Sequence, residues 1–416
     1  MTSTQSNRPR VNSPEPFAPR PRPGTPAHLL ESDEEAVAIA QRLAEAFSRE
    51  AAERDREGYL PTDEIDQYSQ SGLWGLNVPR EYGGLGASYS TIAWVTSIIA
   101  GADSSIAQIA HNHLSLVSHI AVDGSDAQKR ELFGLVLQGY RFGNAFSELH
   151  SRTVAEFATT VVEDGDEVVV NGEKFYTTGA LLAHIVPIVA VNGAGQAVLV
   201  FADRDAPGLT VVNNWSSFGQ RTTASGAVKL DNVRVPKSRA IVVTAFDQQT
   251  AAGAISQVIQ AAIDVGIARR AIDETIAFVR EQSRPWIDSD KATAAEDPFT
   301  IQAIGDLKIR LHAAEALLER AGHRIDAAVA SPDEASVALA TTVTAEAKVL
   351  TTQIAIEATN RLFELAGTRS TLQQHNLDRY WRNARVHTLH DPVRWKYFHI
   401  GNYYLNGINP PRNAWN

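Results

Sequence analysis

His387, His390 and Asp391 fall within one short window of the chain. Positions three apart share a helix face, so both imidazoles can point into one cavity and handle protons there. Two histidines and one carboxylate do not complete a metal's coordination shell, and no His-Glu-x-x-His pattern occurs, so no metal is expected. The plainer alternative is that His390-Asp391-Pro392 is simply where a proline stops a helix. His111-Asn112-His113 has the letters of a nuclease triplet, which the acidic charge of the chain argues against. Gly193-Ala194-Gly195 approaches a dinucleotide fingerprint, but Val198 stands at the third glycine and a strand follows, which makes it a hairpin turn. Gly219-Gln220-Arg221-Thr222-Thr223 is a loop leading toward the strand-like Asn232-Val233-Arg234-Val235-Pro236. Trp215, just before that loop, either fills core or stacks on a planar ligand.

Bulk composition narrows the classes. A formal charge of −10 argues against a nucleic-acid partner, whose phosphates need a basic surface. No run of eighteen apolar residues appears, so no membrane span is expected, and the N-terminus lacks the apolar stretch of a signal peptide. A cytoplasmic enzyme is expected. There is no cysteine, and the one methionine is Met1, which removes disulfides, thiolate ligands and cysteine nucleophiles. An Ala- and Arg-rich genome accounts for this blandly. Selection to spare sulfur, in a protein made when sulfur is scarce, is the reading we prefer.

Such residues need elements to hold them. Pro9, Pro14, Pro16, Pro19, Pro21, Pro23 and Pro26 mark residues 1–31 as a flexible Pro-rich tail with little that could pack. Helical periodicity starts near Ser32, runs from Ala36 to Arg54, and continues to about residue 142. Over 143–247 short β-branched runs replace it, with Asp164-Gly165 and Asn171-Gly172 as hairpin turns. Over 248–416 helices return: Ile259–Glu281, Thr300–Ala330, Asp333–Ala366 and a fourth from about Asp378 to Asn406. Ser331 is the expected N-cap of the third, Pro332 its first turn and Gly367 its stop. The fold class is α+β: an N-terminal helical domain (32–142), a middle antiparallel β-barrel (143–247) and a C-terminal four-helix bundle.

These pieces resemble the acyl-CoA dehydrogenase superfamily from about Ser32 to Asn409. The resemblance rests on Val78-Pro79-Arg80-Glu81-Tyr82-Gly83-Gly84, Asn144-Ala145-Phe146-Ser147-Glu148, Lys174-Phe175-Tyr176-Thr177-Thr178-Gly179-Ala180, Leu365-Ala366-Gly367 and Trp381-Arg382-Asn383-Ala384-Arg385. Where many dehydrogenases carry a glutamate followed by glycine as the α-proton base, this chain has Asp391 and Pro392. A shorter carboxylate beside a rigid ring places its oxygens differently, and proton abstraction tolerates little misplacement. Trp381 to Pro392, Arg284-Pro285-Trp286, Glu296-Asp297-Pro298 and Gly367-Thr368-Arg369 instead resemble the dibenzothiophene monooxygenase branch. Within it the chain resembles sulfur-acquisition oxidoreductases, which the missing sulfur residues independently fit.

The resemblance implies a two-component monooxygenase. A separate NAD(P)H-dependent reductase supplies reduced FMN, and a flavin C4a-(hydro)peroxide formed with O2 oxygenates a small organosulfur substrate. It implies that His113, Thr178 and His390 face the ring and are the catalytic residues. Asn144, Ser147, Tyr176 and Trp215 bracket the isoalloxazine, with Thr178 among the cofactor contacts. Arg284, Arg369 and His387 take the phosphate end. Arg369 replaces a glycine-rich turn that leaves room for an adenylate, and its charge suits a terminal phosphate, so FMN is expected, with FAD the alternative. A homotetramer with sites shared between subunits is implied as well. The competing readings are an FAD-dependent acyl-CoA dehydrogenase and a non-catalytic flavin-binding scaffold.

Overall fold

The computed structural model of the protein describes residues 8–13 and 17–416. Six helices come first: α1 (Asp33–Ser48), α2 (Ala51–Glu57), α3 (Thr62–Gln70), α4 (Tyr89–Ala102), α5 (Ser104–Asp123) and α6 (Asp126–Leu137). Side chains that satisfy free backbone N–H groups set their starts. Ser32 accepts from Glu35 N at α1, Asp103 accepts from Ser105 N and Ile106 N at α5, and Ser125 and Gln128 close a capping box at α6. The continuous helix expected over Ala36–Arg54 is broken between Ser48 and Ala51.

Seven strands follow: β1 (Thr160–Asp164), β2 (Glu167–Lys174), β3 (Ile185–Val191), β4 (Ala197–Asp203), β5 (Leu209–Val212), β6 (Ala227–Pro236) and β7 (Ala240–Val242). They form one sheet in the order β5-β6-β2-β1-β3-β4-β7, antiparallel except where β1 meets β3. Asp164-Gly165 turns β1 into β2, and the Gly193–Gly195 turn joins β3 to β4, as their sequences predict. Asn171-Gly172 does not turn the chain: it lies inside β2, where the register against β6 shifts between Val170 and Gly172 as at a bulge.

The bundle contains α7 (Ala252–Glu281), α8 (Pro298–Ala330), α9 (Glu334–Ala366), α10 (Asp378–His387) and α11 (Arg394–Asn406). Asp333 caps α9 with Ser336 in a capping box, whereas Ser331 closes α8, so the expected cap is two residues early. Gly367 ends α9 as expected. The single fourth helix expected over Asp378–Asn406 is two helices, because Pro392 has no N–H to donate and interrupts the ladder between His387 and Arg394.

One continuous apolar core joins the first helices to the bundle, from Ala36 and Trp74 through Leu114 to Val258 and Leu362, while the sheet keeps a second. The two helical regions therefore share a core. The Pro-rich segment, expected to lack packing, is tied to the body wherever it is described. Val11 N donates to Gly58 O, Leu60 N to Pro9 O, and Arg10 lies over the Tyr59 ring. Arg22 faces Asp203 and Asp205, and Ala27 is buried. Met1 to Asn7 and Pro14 to Pro16 lie outside the described residues. Among the described residues no helix is long and apolar enough to cross a membrane.

Candidate active site

Two sides of α5 divide the work. His113 is fully buried; its Nδ1 accepts from Phe142 N at 2.9 Å and its Nε2 donates to Trp74 O at 3.1 Å. Both ring nitrogens are spent on backbone, and burial lowers its pKa to about 3, so it is a neutral core imidazole. His111 lies 200° away around the helix, because residues two apart point in opposite directions. Its Nε2 is 3.1 Å from Ser256 Oγ on α7, and its ring meets His390 edge-on with centroids 6.4 Å apart. The expectation that His113 faces a cofactor is thus overturned by helical phase. His111 stands against His390 and α7.

The interruption between α10 and α11 presents His390, whose side chain is 39% exposed. Its Nδ1 is 3.2 Å from Asp391 Oδ1, and Lys396 Nζ on α11 approaches Asp391 at 3.7 Å. Burial pushes the Asp391 carboxyl up, but His390, Lys348 and Lys396 outweigh it and hold the group well below the usual carboxylate range. Burial likewise pushes His111 far below its ordinary value, reinforced by His390, His387 and Lys348.

A link runs from this pair to the sheet. Asn144 Nδ2 donates to Asn112 Oδ1 beside His111, while Asn144 Oδ1 is buried with no partner among the described residues. Ser147 O accepts from Phe175 N, and Phe175, Tyr176 and Trp215 form one aromatic cluster with centroids 5.0–6.4 Å apart. Tyr176 sits at φ +59 and is 48% exposed, a strained backbone at an open aromatic surface. Thr178 is buried, 2.7 Å from Ser225 Oγ. Trp215 Nε1 donates to Gln220 O, which fixes the indole. Gly219 then passes so close to α10 that an added Cβ would come within 2.0 Å of Arg382 O, and Gln220 N donates to Asn383 Oδ1. That contact seats the Gly219–Thr223 loop between sheet and helices. An orphaned amide oxygen on Asn144 and an exposed aromatic ring at Tyr176 are the kinds of group that suit a planar heterocycle carrying N–H groups, as an isoalloxazine does.

The residues expected at the phosphate end are elsewhere. Arg284 and Arg369 line a groove of about 930 Å³ with Ser283, Trp286, Asp297 and Thr368, and Arg369 Nη1 donates to Gln282 O. It lies beyond the C-terminal ends of α7 and α9, whereas His111 meets α7 at Ser256. Twenty-five residues of helix separate Ser256 from Glu281, about 37 Å. One mononucleotide cannot touch both places within a single chain. His387 joins neither: it is buried on α10, with Nδ1 2.5 Å from Asp264 Oδ1, and Asp264 faces Lys348 Nζ at 3.4 Å. His387 holds the bundle together in this chain, a correction that follows from its position on the inward face of α10. Asp264, Lys348 and Ser256, each polar within an apolar helical stripe, carried no signal by which local pattern could single them out.

Helical, sheet and helical regions in this order, with an exposed aromatic cluster on the sheet, define a flavoprotein architecture of the acyl-CoA dehydrogenase type. Family models for the N-terminal, middle and C-terminal domains of acyl-CoA dehydrogenase match residues 31–140, 145–233 and 258–395, and the chain belongs to that family. It is 34% identical over 398 residues to a dibenzothiophene monooxygenase of Rhodococcus qingshengii, covering 91% of this chain and 95% of that protein. FMN-bound TdsC from Paenibacillus sp. A11-2 superposes with a TM-score of 0.87 at 30% identity, over 92% of this chain and 100% of the other. Methanesulfinate monooxygenase MsuC from Pseudomonas fluorescens superposes with a TM-score of 0.85 at 30% identity, over 93% and 100%.

Proposed function

We propose that this enzyme is a two-component monooxygenase that takes reduced FMN from a separate NAD(P)H-dependent reductase, uses O2, and oxygenates a small organosulfur compound in sulfur acquisition. Monooxygenase chemistry with FMN is the property of its relatives at about a third identity. The observation that carries the reading here is the His111–His390 pair, joined through Asn112 and Asn144 to the aromatic face of the sheet. Asn144, Ser147, Tyr176, Thr178 and Trp215 would hold the ring, and bound reduced FMN would supply the electrons that activate O2.

The chain's own part is to orient, dry and move protons. Asp391 accepts a hydrogen bond from Nδ1–H of His390, which leaves Nε2 available to accept a proton. His111 stays neutral, so the pair can pass a proton without confronting two buried charges. Thr178 offers a hydroxyl already polarised by Ser225. A dehydrogenase base needs a pKa near the working pH. Asp391, ion-paired and held far below it, does not meet that need.

The Arg284–Arg369 groove supports a homotetramer in which a neighbouring copy supplies the phosphate end, since one chain keeps the two parts about 37 Å apart. Exposed Trp395, Phe398, Tyr404 and Leu405 on α11 give the apolar surface that such assembly would cover. Mixing the FMN-loaded, reduced enzyme with O2 and organosulfur compounds is expected to give an oxygenated product by mass spectrometry. Bleaching of oxidised flavin on anaerobic addition of acyl-CoAs, with no oxygenated product, would overturn the reading in favour of dehydrogenation.

A further inference from the structure

The sheet ends on β5, whose outer edge pairs with no other strand among the described residues. The N-terminal arm crosses beside that edge: Asn12 N donates to Asn213 Oδ1, and Asn213 Nδ2 donates to Arg10 O. Between arm and edge lies a cavity of about 690 Å³, the size of a small-molecule site. Phe17, Pro19, Leu209 and Val211 give it an apolar wall, and Arg204, on the connection from β4 to β5, lines it as well.

Arg204 is 6% exposed, yet its guanidinium makes no hydrogen bond or ion pair among the described residues, and its Nε is fully buried without a partner. The two other buried arginines are well bonded. Arg54 meets Asp103, Glu64 and Phe47 O, and Arg141 meets Asp66, Ser69 Oγ and Leu182 O. Burial lowers the Arg204 pKa to about 10, offset only in part by Asp205. The Asp205 side chain is 59% exposed and faces Arg22 at 3.5 Å. Asn214, also on the lining, accepts from Ala227 N through Oδ1 at 2.9 Å, which leaves its NH2 as a donor. A cation taken out of water without a partner is costly, so the cavity is short of one anion.

We infer that this cavity binds a small organic monocarboxylate, its charged end on Arg204 and its hydrocarbon body along the apolar wall. Guanidinium and carboxylate are both planar, and two parallel N–H···O bonds join them. A single cation with Asp205 beside it favours one negative charge over two, which sets a carboxylate above phosphate or sulfate. The apolar wall favours a ligand larger than acetate. None of the lining residues belongs to the candidate active site, and the inference does not depend on the monooxygenase reading. Occupancy would tie Asn12, Phe17 and Pro19 to β5, and with it to Asn214, the residue before Trp215.

The test is thermal unfolding and calorimetric titration of the FMN-loaded chain with benzoate and hexanoate. Acetate, phosphate and sulfate serve as comparators at constant ionic strength. Benzoate or hexanoate should raise Tm and titrate to one site per chain. Arg204→Met keeps the stem and removes the charge, and should weaken carboxylate binding at least about tenfold. Arg204→Lys keeps the charge without the fork and should weaken it less. With no ligand, Arg204→Met should hold or raise Tm, since it removes a buried cation that lacks a partner; an arginine that serves packing alone would lower it on removal. Carboxylate binding unchanged by Arg204→Met would place the ligand elsewhere and overturn the inference. A wild-type Tm that no carboxylate moves would overturn it, as would phosphate or sulfate bound as tightly as benzoate. Binding seen only in Glu15→Gln would overturn it too, because a carboxylate of the chain itself would then be the tenant.

Discussion

The two sides of α5 hold the same residue type in opposite roles. His113 has both nitrogens bonded to backbone and cannot exchange a proton without breaking the contact between Trp74 and Phe142. His111, two residues earlier, touches only a serine hydroxyl on one side and faces a half-open histidine on the other. Burial alone does not separate them, since both are at most 5% exposed. What separates them is whether the neighbours have used up the ring's hydrogen bonds. A histidine able to do chemistry is one whose lone pair the fold has left free.

The comparison breaks most visibly in activity. His390→Ala and His111→Ala should each lower product formed per O2 consumed by about 10²-fold or more, the usual scale for a lost proton-transfer group, with hydrogen peroxide rising in step. His113→Phe should leave that ratio unchanged. Uncoupling by His113→Phe equal to that of the His111 and His390 variants, in a protein still fully folded at the assay temperature, would return the role to His113.

A second, smaller effect separates the His111–His390 pair from the bundle core. Lys348→Met leaves Asp264 buried without its cation, and losing one partner of a buried pair costs about 3–5 kcal/mol. Urea unfolding should show that loss. His390→Ala, at a partly exposed turn, should shift the same curve little. Equal losses would mean that His390 is structural after all.

Much of this was legible before any coordinates. The helix–sheet–helix order, the Asp164-Gly165 and Gly193–Gly195 turns and the Gly367 stop follow from local rules that need only a few adjacent residues. His390, Thr178, Asn144, Tyr176 and Trp215 were singled out through the resemblance more than through spacing. What was not legible depends on distance and phase. Nothing in His111-Asn112-His113 says which side of α5 faces the sheet. Nothing near Pro19 or Pro21 says that Asp203 and His184 wait for that segment. The placement of Arg284 and Arg369 depends on the length of α7, which no local pattern near either arginine states.

His113→Phe also carries a stability cost, about 1–3 kcal/mol for the unsatisfied Phe142 N–H, measurable in the same urea experiment. A pH series sharpens it. Burial depresses both His113 and His184 to about 3; His184 accepts from Arg141 N and donates to Pro21 O. As pH falls through about 6.5 the unfolded chain takes up a proton at each ring while the folded chain does not. Stability is therefore full above that pH and declines steadily toward 3, by about 1.4 kcal/mol per pH unit for each such histidine. His113→Phe should remove one proton's share of that slope and leave the share of His184, because the two rings sit in different contacts. An unchanged slope between pH 6 and 4 would show that His113 titrates normally in the folded protein, which two backbone hydrogen bonds and full burial do not permit.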